Sequence, residues 1–318
     1  MHKPLLCPSQ LLHTDLTGKI FIVTGGNSGI GLETVAQLAQ QGAHVVLACR
    51  RHIDGDQAKS RIMVHQPRGV IEVAILDLAD LKSVKDFAGH FLAKHSHLHG
   101  LVNNAGVMNV PYGKTKDGFE TQIGVNHLGH YLLTELLLPC LKASAPSRVV
   151  ILSSCYHDRA VGREGTIDLE DLHFERRKYD GWEAYAQSKL ANLLHAKELA
   201  KRVSGSNVVV TSVHPGWVRT NLIRNSAPLW VQDLLLRPIL RLAGMLEPKE
   251  GAQTTLYALL APEVASHNGK YFSQTGFYRT KEASKGGWPL NSPNPHAHDD
   301  QVAKNLDQLS RRLVGLSS

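Results

Sequence analysis

Thr24-Gly25-Gly26-Asn27-Ser28-Gly29-Ile30-Gly31 is the stretch whose reading decides the fold of this chain. It follows a short apolar run, Ile20-Phe21-Ile22-Val23, and opens a helical pattern carrying Leu32, Val35, Ala36, Leu38 and Ala39. A strand, a glycine turn and a helix in that order cradle a diphosphate. Glycines let the backbone turn sharply and approach phosphate oxygens, and the helix N-terminus aims unpaired N–H groups at negative charge. Taken alone, the spacing also fits an ordinary glycine-rich turn.

The rest of the chain repeats the same alternation. His44 to Ala48 reads as a second strand, followed by a polar helix over about Gly55 to His65. A strand from Val70 to Leu76 ends at Asp77, and an amphipathic helix runs from Leu81 to Lys94. A fourth strand covers His99 to Asn103, a long helix about Gly118 to Leu141, and a fifth strand Arg148 to Ser153. Gly181 to Arg202 is helical, and Asn207 to His214 is a sixth strand. Near-continuous apolar runs are the mark of parallel strands buried on both faces. The pattern predicts a single doubly wound α/β domain, its parallel sheet flanked by helices on both faces. Residues 1–15 read as an N-terminal arm and 16–318 as the domain.

Past His214 the alternation loosens. Pro228 to Leu246 reads as an apolar helix with a polar stripe of Asp233, Arg237 and Arg241, and Pro248 to Leu260 as another helix. Lys270 to Phe272 could be a last edge strand. Ser273 to His298 reads as an irregular loop that opens a C-terminal extension over about 273–318, and a final helix covers about Asp299 to Leu313.

Composition narrows the function classes. The chain has 318 residues, 42% hydrophobic and 20% charged, which suits a globular domain with a sizeable core. The net charge of +7 is spread out. Its tightest clusters, Arg176-Arg177-Lys178 and Arg311-Arg312, lack interleaved aromatics, so no nucleic-acid partner is expected. Cys7, Cys49, Cys140 and Cys155 share no CxxC spacing, and the eighteen histidines show no metal-ligand pattern. The sequence has neither the apolar run of a signal peptide nor an uninterrupted apolar stretch of about 18 residues. A soluble, cytoplasmic protein is the expectation.

Tyr185 and Lys189 lie four apart in a helical pattern, so their side chains leave the same face. A nearby ammonium stabilises a phenolate and brings the phenol toward the working range of a proton donor or acceptor. Ser153-Ser154 closes the fifth strand, and carboxyl ends of strands face the ligand crevice in open α/β sheets. Asn103-Asn104-Ala105-Gly106 closes the fourth strand with small residues, suiting a backbone that lies beside a ring. Asn126 sits within a long helical pattern, where asparagine has poor propensity. His214-Pro215-Gly216 stops the sixth strand, with Thr220 beyond as a candidate phosphate or amide partner.

This ordered set resembles the short-chain dehydrogenase/reductase family over roughly Leu16 to Phe272. Its pieces are Thr24-Gly25-x-x-x-Gly29-Ile30-Gly31, Asn103-Asn104-Ala105-Gly106, Asn126, Ser154, Tyr185-x-x-x-Lys189 and Pro215-Gly216. The stretches Val125 to Thr134, Tyr185 to Asn192 and His214 to Thr220 look like the retinol dehydrogenase branch. The resemblance implies a Rossmann-type catalytic domain that reduces apolar carbonyl compounds. It implies Tyr185 as the acid/base, Lys189 on the ribose hydroxyls, Ser154 orienting the carbonyl and Asn126 holding a water in a proton relay. It places Gly25, Asn27, Ser28, Gly29, Ile30, Asn103, Ala105, Gly106, Pro215 and Gly216 at the cofactor. Asp77 and Leu78 flank the adenine, and Val218 with Thr220 holds the carboxamide end. Many members associate through helices matching about Gly118 to Leu141 and Gly181 to Arg202, making a homo-oligomer an expectation. The gap from Ser154 to Tyr185 is longer than in compact members, and its added segment, Tyr156 to Asp180, reads as a polar rim of the pocket. Vertebrate retinol dehydrogenases commonly carry an N-terminal membrane segment; this sequence shows none.

The second strand ends in Ala48-Cys49-Arg50-Arg51, with no carboxylate before Asp54. NAD sites place an acidic residue there for the ribose 2′-hydroxyl, whereas NADP sites use arginine for the 2′-phosphate. The expected cofactor is NADP(H), with Arg50 the better candidate. The segment about 221–247 is expected to be a substrate lid, Leu229, Trp230, Leu234 and Leu235 facing a cleft. A core helix pair and shallow docking on a membrane surface through Arg237 and Arg241 are the competing readings. For the whole chain, a protochlorophyllide reductase-like enzyme and a silent dinucleotide-sensing scaffold are the alternatives.

Overall fold

The computed structural model describes residues 3–218 and 244–316. Its sheet holds β1 (Ile20–Thr24), β2 (His44–Cys49), β3 (Val70–Ile75), β4 (Gly100–Asn103), β5 (Ser147–Leu152), β6 (Val208–His214) and β7 (Tyr271–Ser273). All seven strands are parallel, in the order β3-β2-β1-β4-β5-β6-β7. The order reverses between β1 and β4, and such a switch point opens a crevice at the carboxyl ends of the strands. Helices α1 (Gly29–Gln40), α2 (His52–Met63), α3 (Leu81–Lys94), α4 (Gly129–Ala143), α5 (Gly181–Arg202) and α6 (Pro248–Leu260) cover the two faces. A last helix, α7 (Asp300–Leu313), follows the irregular C-terminal segment.

Alternation along each strand sorts the apolar side chains between two cores. Register lines up Val46, Ile22, Leu101, Val149 and Val210 as one row across five strands. This row packs under Phe87, Leu132, Leu137 and Leu199 of α3, α4 and α5. The opposite face, including Val45, Phe21, Val102 and Val150, packs under Val35, Leu38, Leu256 and Leu259 of α1 and α6. Continuous apolar runs in the sequence are the consequence of burial on both faces.

Helix boundaries follow their caps. The Asp80 side chain accepts from the backbone N–H groups of Lys82 and Ser83 and starts α3; Asp180 does the same for Trp182 and Glu183 at α5. Glu247 and Glu250 form a capping box at α6, with Pro248 as the first helical residue.

Four elements differ from the sequence expectation. The helix expected from Gly118 begins only at Thr121, because Gly118 holds φ +85° and the Glu120 carboxylate caps Gln122 and Ile123. It then widens into a π-helical turn over Gly124–Leu128, closed by the Gly129 N–H on the Gly124 carbonyl, before α4 starts. Helix α2 begins at His52 rather than Gly55, with Asp54 in its first turn where a negative charge suits the helix dipole. Within the loop expected over 273–298, Lys281–Ser284 and Pro295–His298 form short helical turns. The segment after Ser154 is more than a polar rim. Asp158 is fully buried under Arg279, and the Asn294 amide donates to the carbonyls of His157 (2.6 Å) and Gly165 (2.8 Å). The expected lid with Leu229, Trp230, Asp233, Leu234, Leu235, Arg237 and Arg241, and Thr220 before it, lie outside the described residues. Among the described residues no helix is long and apolar enough to cross a membrane.

Helix α7 lies on α5 and α4, the helices that the resemblance assigns to subunit association. Leu306 and Ala303 are buried there. The Tyr131 hydroxyl donates to Asp307 (2.9 Å), His127 Nε2 meets Ser310 Oγ (2.8 Å), and Glu135 takes both Arg202 and Arg311. The chain's own C-terminal helix thus covers this part of that surface. Leu306→Ala should cost about 2–4 kcal/mol of stability, the usual range for a leucine deleted from a packed core. A urea unfolding curve measures this as a lowered midpoint.

Candidate active site

The turn between β1 and α1 is shaped by close approach. A Cβ at Gly31 would lie 2.4 Å from the Gly25 carbonyl oxygen and 2.5 Å from Asn104 Nδ2. Only glycine fits there, and the turn folds back on itself against the end of β4. Gly25 and Gly29 hold φ +63° and +55°, in the left-handed region that glycine enters without strain. Ser28 is the N-cap of α1, yet its side chain makes no capping bond, so the first-turn N–H groups stay open to an anion. Asn27 and Ser28 are half-buried at the rim of this cradle. The backbone fits a dinucleotide diphosphate by the shape that a Cβ would fill.

Three further strand ends line the same edge. Arg50, just past β2, is exposed and has no hydrogen bond or ion pair with a described residue. Arg51 is engaged, its Nε and Nη2 each donating to an Asp54 carboxylate oxygen at 2.7 Å. The Asp77–Leu78 turn follows β3. Asp77 Oδ1 accepts from the Ala79 N–H (3.0 Å), and the Leu78 carbonyl sits against Gly129 at the start of α4. After β6, Pro215 and Gly216 are half-buried, and Val218 pairs with Leu246 in a short parallel bridge.

The acid/base candidates converge where α5 crosses the end of β5. Lys189 Nζ donates to the Leu152 carbonyl (3.1 Å), which also accepts from Asn192 Nδ2 (2.9 Å). Ser153 Oγ donates to the Lys189 carbonyl (2.7 Å). These three bonds fix helix to strand and hold Tyr185, one turn earlier, over Ser154. Tyr185, Lys189 and Ser154 are all buried. Asn126 lies in the π-helical turn, where Oδ1 accepts from the Val107 N–H (2.8 Å) and Nδ2 donates to the Val107 carbonyl (2.9 Å) and Ser188 Oγ (2.9 Å). A Cβ on Gly106 would come within 3.0 Å of Asn126 Oδ1 and 3.5 Å of Lys189 Nζ, so the β4 loop lies against both.

Burial dominates the electrostatics. It lowers the Lys189 ammonium to about 8 and raises the Tyr185 phenol, while the Ser154 hydroxyl pulls the phenol back down. The lowering of Tyr185 by Lys189, expected from their spacing, is not the net effect here. Lys189 Nζ stands 5.6 Å from the phenol ring centre, and desolvation wins.

Most expected residues meet at this edge of the sheet; Asn103 is a partial exception. Its amide donates inward to Thr134 Oγ1 (2.8 Å), leaving only its backbone toward the crevice side. The neighbouring Asn104 instead pins the glycine turn through the Thr24 carbonyl (2.7 Å). Two residues within the quoted motifs have supporting roles that the sequence reading did not assign. Thr24 Oγ1 accepts from the N–H groups of Asn104 (2.9 Å) and Ala105 (3.0 Å) and lies 2.8 Å from His130 Nε2. His130 Nδ1 in turn lies 3.1 Å from the Asn126 carbonyl. Burial lowers His130 to about 3, so it is a neutral bridge between the glycine turn and Asn126. Its four-residue spacing from Asn126 is the sequence signal for it.

Known proteins resemble this chain in sequence and in fold. The short chain dehydrogenase family model matches residues 19–164. Retinol dehydrogenase 12 of Homo sapiens is 44% identical over 304 residues, covering 96% of this chain and 89% of that protein. A solved structure of an uncharacterized protein from Mycobacterium Paratuberculosis superposes with a TM-score of 0.70 at 35% identity, over 96% of each chain. The Pseudomonas aeruginosa RhlG/NADP active-site complex shares the fold with a TM-score of 0.64 at 23% identity, over 82% of this chain and 96% of that one. The chain therefore belongs to the short-chain dehydrogenase/reductase family, in its retinol dehydrogenase-like branch, and is an oxidoreductase of carbonyl and alcohol groups.

Proposed function

We propose that the protein is an NADP(H)-dependent reductase of apolar aldehydes or ketones, retinal-like or of medium to long chain, with Tyr185 as the acid/base. The observation that carries this reading is the buried group of Tyr185, Ser154 and Lys189 at the end of β5, beside the glycine cradle. A nicotinamide dinucleotide, when bound, supplies or accepts the hydride. Tyr185 gives its proton to the carbonyl oxygen, and Ser154 orients that oxygen by a hydrogen bond. Lys189 would hold the ribose hydroxyls with the ammonium protons that the Leu152 carbonyl leaves free. Burial keeps the Tyr185 phenol protonated at neutral pH, the form that reduction needs and alcohol oxidation does not.

Arg50 supports the choice of cofactor: it is a guanidinium at the end of β2 with no partner among the described residues, where a 2′-phosphate would lie. An aromatic wall supports an apolar substrate. Tyr156 meets Tyr185 edge-on at 6.1 Å and Trp182 at 5.5 Å, so apolar ring faces stand beside the acid/base. The names of the retinol dehydrogenase relatives point the same way.

Tyr185→Phe should cut turnover by about 10²-fold or more and leave NADPH affinity near that of the wild type, since only the proton donor is lost. Fluorescence titration with NADPH and steady-state reduction of retinal or a long-chain aldehyde measure the two parts. A Phe variant that kept most of its turnover would remove Tyr185 from the reaction.

Arg50→Ala should weaken NADPH by about 1.5–3 kcal/mol, the worth of a charge-assisted bond to phosphate, and barely change NADH. Michaelis constants for both cofactors decide it. Equal losses would overturn the assignment.

Lys189 also leaves a mark on stability. Its folded-state pKa of about 8 lies below the ordinary 10.5, so between those values the unfolded chain binds more protons and stability rises with pH. Below about pH 8 the full cost of the buried ammonium is present. Lys189→Met should therefore stabilise the ligand-free protein at pH 7 by about 1–3 kcal/mol, a gain that shrinks between pH 8 and 10.5. Urea unfolding across this range checks both sign and window.

A further inference from the structure

His44, Glu72 and His95 come together on the face of the sheet that α3 covers. His44 opens β2, Glu72 is the third residue of β3, and His95 is the C-cap of α3. Register pairs His44 with Val70 and Val46 with Glu72, so residues 44 and 72 sit two steps apart on one face of neighbouring strands. The side chain of His95 arrives from above, its ring tilted 32° to that of Phe91 with ring centres 4.9 Å apart. Val46 and Phe91 are buried beneath this group.

The donor atoms have the disposition of a ligand set. Glu72 Oε2 lies 3.0 Å from His44 Nε2 and 3.2 Å from His95 Nε2, and all three ligand atoms fall within 4.8 Å of one another. A tetrahedral zinc ion with bonds near 2.0–2.1 Å has ligand atoms about 3.3 Å apart. The two imidazole planes are nearly perpendicular, at 88°, with ring centres 5.0 Å apart. The other carboxylate oxygen, Oε1, is taken by Lys94 Nζ at 2.7 Å, which orients Glu72 to offer Oε2 alone. The side chains are 27% (His44), 23% (Glu72) and 8% (His95) exposed, enough for entry while the contacts stay ordered. Glu72 and Lys94 also line an open cavity of about 840 Å³ that runs along β3 and α3.

We propose that His44, Glu72 and His95 bind one divalent transition-metal ion of the zinc class. Two imidazoles and one carboxylate suit such an ion, and a water would complete a tetrahedron. The site stands at the amino end of β2, six residues or roughly 20 Å of extended strand from Arg50 at the crevice. It is therefore a structural staple. It ties β2, the edge strand β3 and the last turn of α3 together, away from hydride transfer.

The test uses the full chain stripped with a chelator, then titrated with Zn²⁺ in competition with a chromophoric zinc indicator. The wild type should bind one saturable equivalent. His44→Ala, Glu72→Gln and His95→Ala should each weaken it by more than about tenfold, while the control His52→Ala/His97→Ala retains it. Zn²⁺ should also raise the thermal midpoint of the wild type and leave that of His44→Ala unchanged, as expected for a ligand of the folded state. His44→Gln, at the most exposed of the three positions, is the second variant should a buried substitution fail to fold. Loss of the equivalent in folded His44→Gln supports the site. Equal uptake by the wild type and folded His44→Gln, or no saturable uptake by the wild type, overturns it.

Discussion

The Thr24 hydroxyl holds the two halves of the sheet in the relation that everything else requires. The chain reverses its direction of growth between β1 and β4, and the backbone beyond each strand would otherwise part at that point. Thr24 closes the gap by accepting the N–H groups of Asn104 and Ala105. Asn104 returns a bond to the Thr24 carbonyl, and His130 joins the same hydroxyl to the turn that carries Asn126. One small side chain thus sets the distance between the anion cradle, the β4 loop and the acid/base group. Every one of these partners is buried or half-buried, so each bond forms in a medium where it is stronger and its loss costs more.

Placing the reacting groups works against stability. A buried ammonium and a buried phenol are both costly to hold, and the protein keeps them in place by anchoring α5 to β5 through the Leu152 carbonyl. The same carbonyl serves Lys189 and Asn192, so the position of the amine is coupled to the packing of a helix that is buried for most of its length. A site built on such a helix keeps its geometry without its ligands.

Much of this was legible in the residues. Helices α3, α5 and α6 match their expected bounds because Asp80, Asp180 and Glu247 mark their starts in the sequence itself. The strands are readable as apolar runs because both faces of the sheet are covered. The π-helical turn at Asn126 was not readable: one extra residue in a single turn barely disturbs the apolar spacing on either side of it. Nor does the sequence say which amide of the Asn103-Asn104 pair turns toward the glycine loop, since that depends on where β4 ends. Residues 44, 72 and 95 meet only through strand register and helix length, which no local spacing reveals.

The C-terminal segment has a consequence for how the protein comes into being. Residues 16–214 hold the acid/base group and every described strand of the main sheet but the last, and they leave the ribosome before β7 and α7. Yet Asp158, four residues past Ser154, is buried under Arg279, and Asn294 supports the carbonyls of His157 and Gly165. Tyr131 and Leu194 likewise belong to surfaces that α7 completes. A nascent chain therefore carries its reacting residues on an unfinished scaffold, with an apolar face open, until residues 279–313 have been made. Activity and protection from aggregation are expected to arrive together with α7, not in step with the growth of the sheet.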